Sequence, residues 1–279
     1  MRLPVRLALT LVGFAIVASG AAAQEPTTTT PEMHPWGRFK PGAWRRIQVV
    51  TETFDEQGRV ANTSTSFSTT RLQRGKRLNL IALAVEVVVD MSGKQIETPA
   101  SVIEQGFYGQ SPDDKVTVNP VGAEEIQVAG KRVQCRVELV ETEGPAGRTI
   151  TKTWFSASVA PFILKRESKT LDVQGQQTVN ETHVEVEAIC ASSDLFPNLA
   201  SLSRVKVVTR HSKGKTETTV LTSPEIPGGV VSHVANEFDG EGHLTRRSTL
   251  TLVNYGLTPK DDDDGIFRRM RNRRGNRRA

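Results

Sequence analysis

The sequence predicts an all-β protein of about twelve antiparallel strands, arranged as three four-strand meanders that pack as a sandwich or as curved sheets between disordered termini. Three observations carry that expectation. Apolar and polar residues alternate with period two through most of the chain. Glycine-containing turns punctuate it at Glu56–Gly58, Ser92–Gly93, Glu143–Gly147, Gln174–Gly175, Lys213–Gly214 and Asp239–Gly242. No stretch keeps a long 3.6-residue period, and short helical turns are expected only at Ala100–Gln105 and Leu195–Leu202.

The cleanest strand is VQCRVEL, in which Val133, Cys135, Val137 and Leu139 point one way and Gln134, Arg136 and Glu138 the other. HVEVEAIC repeats the pattern with Val184, Val186, Ala188 and Cys190, and STLTLV with Leu250 and Leu252. The run from Leu78 to Val89 is apolar on both faces and reads as a central, covered strand. RIQVVT at 46–51 recurs as RVKVVT at 204–209, each followed by a glycine turn and a Thr-rich strand; APFIL at 160–164 is echoed by IPGGV at 226–230. These echoes set the expected units at 36–122, 123–190 and 191–259. About twelve strands with one apolar face each must curl or stack to bury it.

The ends read differently. Arg2 and Arg6 precede an apolar run from Leu7 to Ala18, then small residues to Ala23, which is the pattern of a cleaved secretory signal peptide (1–23). The mature chain is expected to carry no transmembrane span and to be periplasmic or extracellular. Residues 24–35, QEPTTTTPEMHP, form a Thr/Pro-rich tether, and structure is expected from Trp36. Residues 260–279 join an acidic run, Asp261–Asp264, to a tail holding Arg268, Arg269, Arg271, Arg273, Arg274, Arg277 and Arg278.

The formal net charge of +5 belongs to these ends. Without the signal peptide and the last twelve residues the chain has 27 basic and 31 acidic side chains, so the folded body is close to neutral. A basic balance points to a polyanionic partner, and here it points there through the tail alone: an anionic envelope surface or polymer, each arginine contributing about 1 kcal/mol. Specific nucleic-acid recognition is not expected, since no reading domain is visible.

The run VQCRVEL followed by TKTWFSASVAPFILKRES resembles uncharacterised exported bacterial β-proteins and, distantly, the curved-sheet half-barrels of periplasmic lipoprotein-localisation factors. The likeness covers about 60 of the 279 residues. It implies an apolar concavity able to hold an acyl chain.

Two cysteines occupy the apolar faces of the second unit. Cys135 starts its first strand and Cys190 ends its fourth, which suits a disulfide in an oxidising compartment. Closing 56 residues would contribute about 4 kcal/mol on a chain-entropy account. No nucleophile elbow, phosphate loop, dinucleotide fingerprint or H-E-x-x-H pair occurs, so no catalytic residue and no cofactor is assigned. A metal candidate is His211 with Asp239 and His243, near turns at one end of the third unit, and it would suit a metal-dependent hydrolase. His233 is excluded from it by a hairpin register that sets Phe238 opposite His243 and His233 opposite Ser248. The acidic run Asp261–Asp264 could attract Ca²⁺ but reads rather as a solvated run pairing with the Arg tail.

The reading is therefore an exported, non-enzymatic β-sheet scaffold or binding protein of the cell envelope with an adhesive tail, and alternatively a carrier of an apolar ligand. Deleting residues 266–279 is expected to abolish low-salt binding to anionic vesicles while leaving the melting temperature unchanged. Unaltered co-sedimentation of the truncated protein contradicts it.

Overall fold

Thirteen strands form in the computed structural model, which describes residues 34–75, 77, 79–91, 94–189 and 199–258. The signal peptide, most of the tether, Cys190, the acidic run and the Arg-rich tail lie outside the described residues. The strands are β1 (Trp44–Phe54), β2 (Val60–Gln73), β3 (Leu80–Met91), β4 (Lys94–Gly106), β5 (Lys115–Val128), β6 (Lys131–Gly144), β7 (Gly147–Phe155), β8 (Ile163–Leu171), β9 (Thr178–Ile189), β10 (Ser203–His211), β11 (Gly214–Thr222), β12 (Val230–Phe238) and β13 (Leu244–Gly256). All belong to one antiparallel sheet in the order β4-β3-β2-β1-β13-β12-β11-β10-β9-β8-β7-β6-β5. The chain is thus a continuous meander whose first and last strands pair, Trp44 opposite Gly256 through Thr53 opposite Arg246. The edges are β4 and β5, which are neighbours in sequence.

That order forces the sheet to roll. Laid flat, thirteen strands put the two edges about 58 Å apart. The segment joining them, 107–114, spans at most about 30 Å. A second segment tightens the roll. His34 meets Gln105 of β4 at 2.9 Å, Pro35 accepts the amide of Gly228 between β11 and β12, and the Arg38 guanidinium lies 3.3 Å from the Phe162 ring centre between β7 and β8. Four residue steps reach about 14 Å, yet in a flat sheet β4 and the β7–β8 connection stand about 45 Å apart. Residues 34–39 are therefore a strap drawn across one end of the rolled sheet.

Local devices bend the strands toward the strap. Bulges fall at Arg46/Ile47, Trp154/Phe155, Arg204/Val205 and Leu221/Thr222, each at the strap-side end of its ladder, and each adds twist. Arg45 donates to the Gly228 carbonyl at 3.2 Å and lies over Trp36. Gly228 has a φ of 78°, and a Cβ there would meet the Trp36 ring at 2.8 Å, so glycine is what lets the connection approach the strap.

Two apolar clusters fill the inner face. One joins Ile47, Val184, Val186, Val205, Val207, Val220, Leu250 and Leu252 with the floor residues Leu202 and Ile226. The other joins Leu72 and Ile81, Leu83, Val85, Val87 and Val89 of β3 with Trp36 and Phe107. The β5–β6 hairpin bends at a bulge between Pro120 and Gly122, and its tip turns Val128, Val133, Cys135 and Val137 onto the first cluster.

Several expectations change. Ala100–Gln105 belongs to β4 and is extended. The covered strand β3 lies second from an edge, and the strap and its long neighbours shield it, so burial on both faces did not require a central place. The boundary expected at 122/123 falls inside β5. The packed body takes in residues ahead of Trp36: His34 is 1% exposed. Its Nδ1 accepts the Trp36 amide at 3.2 Å, and its Nε2 lies 2.9 Å from the Gln105 side-chain nitrogen.

Burial holds the His34 imidazole well below its ordinary value, at about 4. The unfolded chain then binds the extra proton first, so stability is complete above about pH 6.5 and falls as pH drops toward 4. The loss is about 3 kcal/mol at most for this residue. Urea unfolding from pH 7 to pH 4 should show a smaller drop in His34→Asn than in the wild type, and parallel profiles would contradict the assignment.

The concave face as candidate functional site

Cross-strand pairing places one set of side chains on the inside. Starting from β1, Val49 stands opposite Leu250, Leu250 opposite His233, His233 opposite Val220, Val220 opposite Val205, and Val205 opposite Val186. The next row toward the tight turns runs Thr51, Ser248, Ala235, Thr218, Val207, Val184, Arg166, Thr153 and Glu138. Nearer the turns the row is hydroxyl-rich: Thr216, Thr209, Thr182, Ser168 and Thr151. The face thus grades from aliphatic at the strap to Ser and Thr at the turns, where most of its residues are half-buried.

The hydroxyls largely satisfy one another. Thr51 pairs with Ser248 at 3.3 Å, Thr149 with Thr170 at 3.1 Å, Thr151 with Ser168 at 3.0 Å and Thr182 with Thr209 at 3.0 Å. Such cross-strand pairs stabilise the ladder and leave few donors over.

Charge is sparse inside and dense outside. On the convex face Lys165 meets Glu167 at 2.8 Å, Lys215 meets Glu217 at 2.8 Å, and His183 stands between Glu167 and Glu185. Trp154, opposite Val137 in the ladder, is 4% exposed and packs in the first cluster, while its indole donates to Glu124 at 2.7 Å with Lys152 and Lys165 over its ring. Inside, between β7 and β3, the ionisable side chains placed by the ladders are Arg45, Arg166, His211, His233 and the Glu237–Arg246 pair, which is closed at 2.6 Å. His233 is held neutral at about 4, by burial first and then by the Arg45 charge. Arg45 and Arg166 are both lowered to about 10 by burial alone.

β6 changes its covered face midway. Val137 and the adjacent Glu138 are both fully buried, so Glu138 is inside where alternation put it outside. It pairs with Arg136 at 2.6 Å, and its charge, after burial, pushes the nearby Tyr108 hydroxyl up to about 12.

The residues singled out from sequence are placed as follows. Cys135 is buried and unbonded, its thiol near the Val133 carbonyl and pushed up by burial. Its expected partner Cys190 and the seven tail arginines lie outside the described residues. Asp239 and His243 come together, with 3.4 Å between Asp239 Oδ2 and His243 Nδ1, but Asp239 Oδ1 is engaged by the amides of Glu241 and His243. His211 accepts the Lys213 amide at 3.3 Å. Among the described residues no three His, Cys, Asp or Glu side chains gather where a metal ion would sit. The hairpin register differs from the expected one: Phe238 pairs with Leu244 and His233 with Leu250, because a bulge after Glu237 and a connection closed by Asp239 and His243 absorb two residues.

Sequence reasoning missed Arg45, Arg166 and Glu138. In ILKRESKTL both alternating sets are polar, so nothing marks Arg166 as inward. Arg45 follows Trp44 at a strand entrance, where neither face had declared itself.

No family model matches the chain, and no curated protein matches its sequence. Among solved structures it is similar to a candidate lipoprotein of Parabacteroides distasonis, with 10% identity over 77% of this chain and 97% of that one and a TM-score of 0.29. It is also similar to a candidate exported protein with a YmcC-like fold from Bacteroides fragilis, with 9% identity over 78% of this chain and 97% of that one and a TM-score of 0.28. At that identity and superposition neither neighbour assigns an activity to this chain.

Proposed function

We propose that the protein is an exported, non-enzymatic carrier that shelters an apolar ligand on the concave face of its rolled sheet. The observation that carries this reading is the unpaired gap between β4 and β5. There the inward side chains Ile96 and Ile103 remain 48% and 37% exposed, next to an aliphatic interior. A scaffold built of two packed sheets would bury such residues against the second layer. Here every described strand belongs to one sheet, and its inner face closes only on itself and the strap. An exposed apolar lip leading to an apolar face is the arrangement expected of a ligand entrance.

The signal peptide supplies export, and the Arg-rich tail supplies adhesion to polyanionic envelope material. A metal-dependent hydrolase is less well supported, since His211 Nδ1 and Asp239 Oδ1 are taken up by their own turns.

Titrating the mature chain with N-phenyl-1-naphthylamine, a neutral apolar fluorophore, tests the reading. Saturable enhancement is expected for the wild type. Ile96→Glu combined with Ile103→Glu replaces side chains that are already exposed, so folding should survive while binding weakens about tenfold. Absence of enhancement in the wild type, or equal affinity in the variant, contradicts the proposal.

A further inference from the structure

The inner face carries a cation with nothing to balance it. Arg166 on β8 stands directly between Thr153 of β7 and Val184 of β9 in the ladder. Its guanidinium makes no hydrogen bond or ion pair among the described residues, and its Nε is buried without a partner. The Thr153 hydroxyl beside it is also buried and unpartnered. The nearest inward carboxylate along the row is Glu138, one strand beyond Thr153, and Arg136 engages it at 2.6 Å. The other inward acid of the turn side, Glu237, is closed on Arg246. Burial alone lowers the Arg166 guanidinium, with no carboxylate offsetting it.

Arg166 is half-buried, and holding a half-buried guanidinium without a counter-charge is costly, which a ligand that completes the site would offset. The surroundings say which ligand. Toward the strap lie Leu164 and Val186, both apolar and buried, and along the row lie Val184 and Val207. Toward the turns, Ser168 and Thr182 already bond Thr151 and Thr209, so they offer little to a sugar. A planar fork of donors at the border of an aliphatic surface matches a carboxylate or a phosphate joined to a hydrocarbon tail.

We infer that the carrier's ligand is an anionic amphiphile whose carboxylate or phosphate head is bound by Arg166, with Thr153 beside it, and whose tail lies over Leu164, Val184, Val186 and Val207. This rests on the carrier reading above and adds to it the chemical class of the ligand and the residue that selects it. Arg166 is then the specificity-determining residue of the concave face. Arg45 is the lesser contributor, because Gly228 and Trp36 already occupy it.

The test uses the mature chain with its tail intact and three probes sharing one tail: palmitate, hexadecyl phosphate and hexadecanol. Each displaces N-phenyl-1-naphthylamine. The wild type should bind at least one anionic probe roughly ten- to a hundredfold more tightly than the alcohol, and the tighter of the two names the head. Arg166→Met should erase that preference while leaving hexadecanol within about twofold, and the unliganded variant should melt no lower than the wild type, since an unbalanced cation has gone. Arg166→Lys should retain part of the preference. Arg166→Gln is a second neutral variant and carries the test if Arg166→Met does not fold. Equal binding of all three probes by the wild type, or a preference that persists in the neutral variants, overturns the headgroup assignment and leaves the carrier reading standing. Failure of the wild type to bind even hexadecanol defeats the carrier reading itself.

Discussion

The structure depends on one geometric constraint: two edge strands that are far apart in the sheet are close together in the chain. A meander that began at one edge and ended at the other would be free to lie open. Here the first and last strands pair in the middle, which sends the β4–β5 connection to the two edges. Eight residues cannot bridge a flat sheet of this width, so the sheet must roll. The strap adds a second tie at one end, where a few residues touch β4, the β11–β12 connection and the β7–β8 connection. Bulges on the strap side supply the extra twist this needs.

Rolling separates two environments that the strands themselves do not distinguish. Lysines and glutamates gather on the convex face in pairs that contribute little individually. The concave face receives aliphatic side chains near the strap and mutually bonded hydroxyls near the turns. Against that background a lone guanidinium is conspicuous. Arg45 and Arg166 both have an Nε without a partner, but the Arg45 guanidinium donates to a carbonyl and lies over an indole, whereas Arg166 makes no hydrogen bond or ion pair among the described residues, and this contrast is what makes the second one informative.

Much of the architecture was legible in the residues. The expected glycine turns fall at the β1–β2, β6–β7, β8–β9, β10–β11 and β12–β13 connections, whereas the β2–β3, β5–β6, β7–β8 and β11–β12 connections carried no such mark, and the burial of Val133, Cys135, Val184, Val186, Leu250 and Leu252 followed from alternation alone. What alternation cannot carry is pairing between distant strands. Nothing in RIQVVT says that it will lie beside STLTLV, so the single sheet and its roll were out of reach, and a sandwich or curved sheets had to stay open together. The same limit hid the site. Arg166 sits in a strand polar on both sides, and Glu138 becomes internal because β6 changes its covered face between Val137 and Glu138. His34 falls in QEPTTTTPEMHP, which has no large aliphatic residue to anchor it and so carries the pattern of a tether. Its burial arises from contacts with Gln105 and Trp36 that only the fold brings together.

The roll itself is the claim on which the carrier reading and the headgroup assignment both stand. Spin labels at Glu104 on β4 and Ala157 in the β7–β8 connection, in a Cys135→Ala, Cys190→Ser background, measure it directly by dipolar spectroscopy. A rolled sheet tied by the strap predicts a narrow distribution below about 30 Å. A distribution centred beyond about 40 Å, as nine or ten flat strand spacings require, would contradict it.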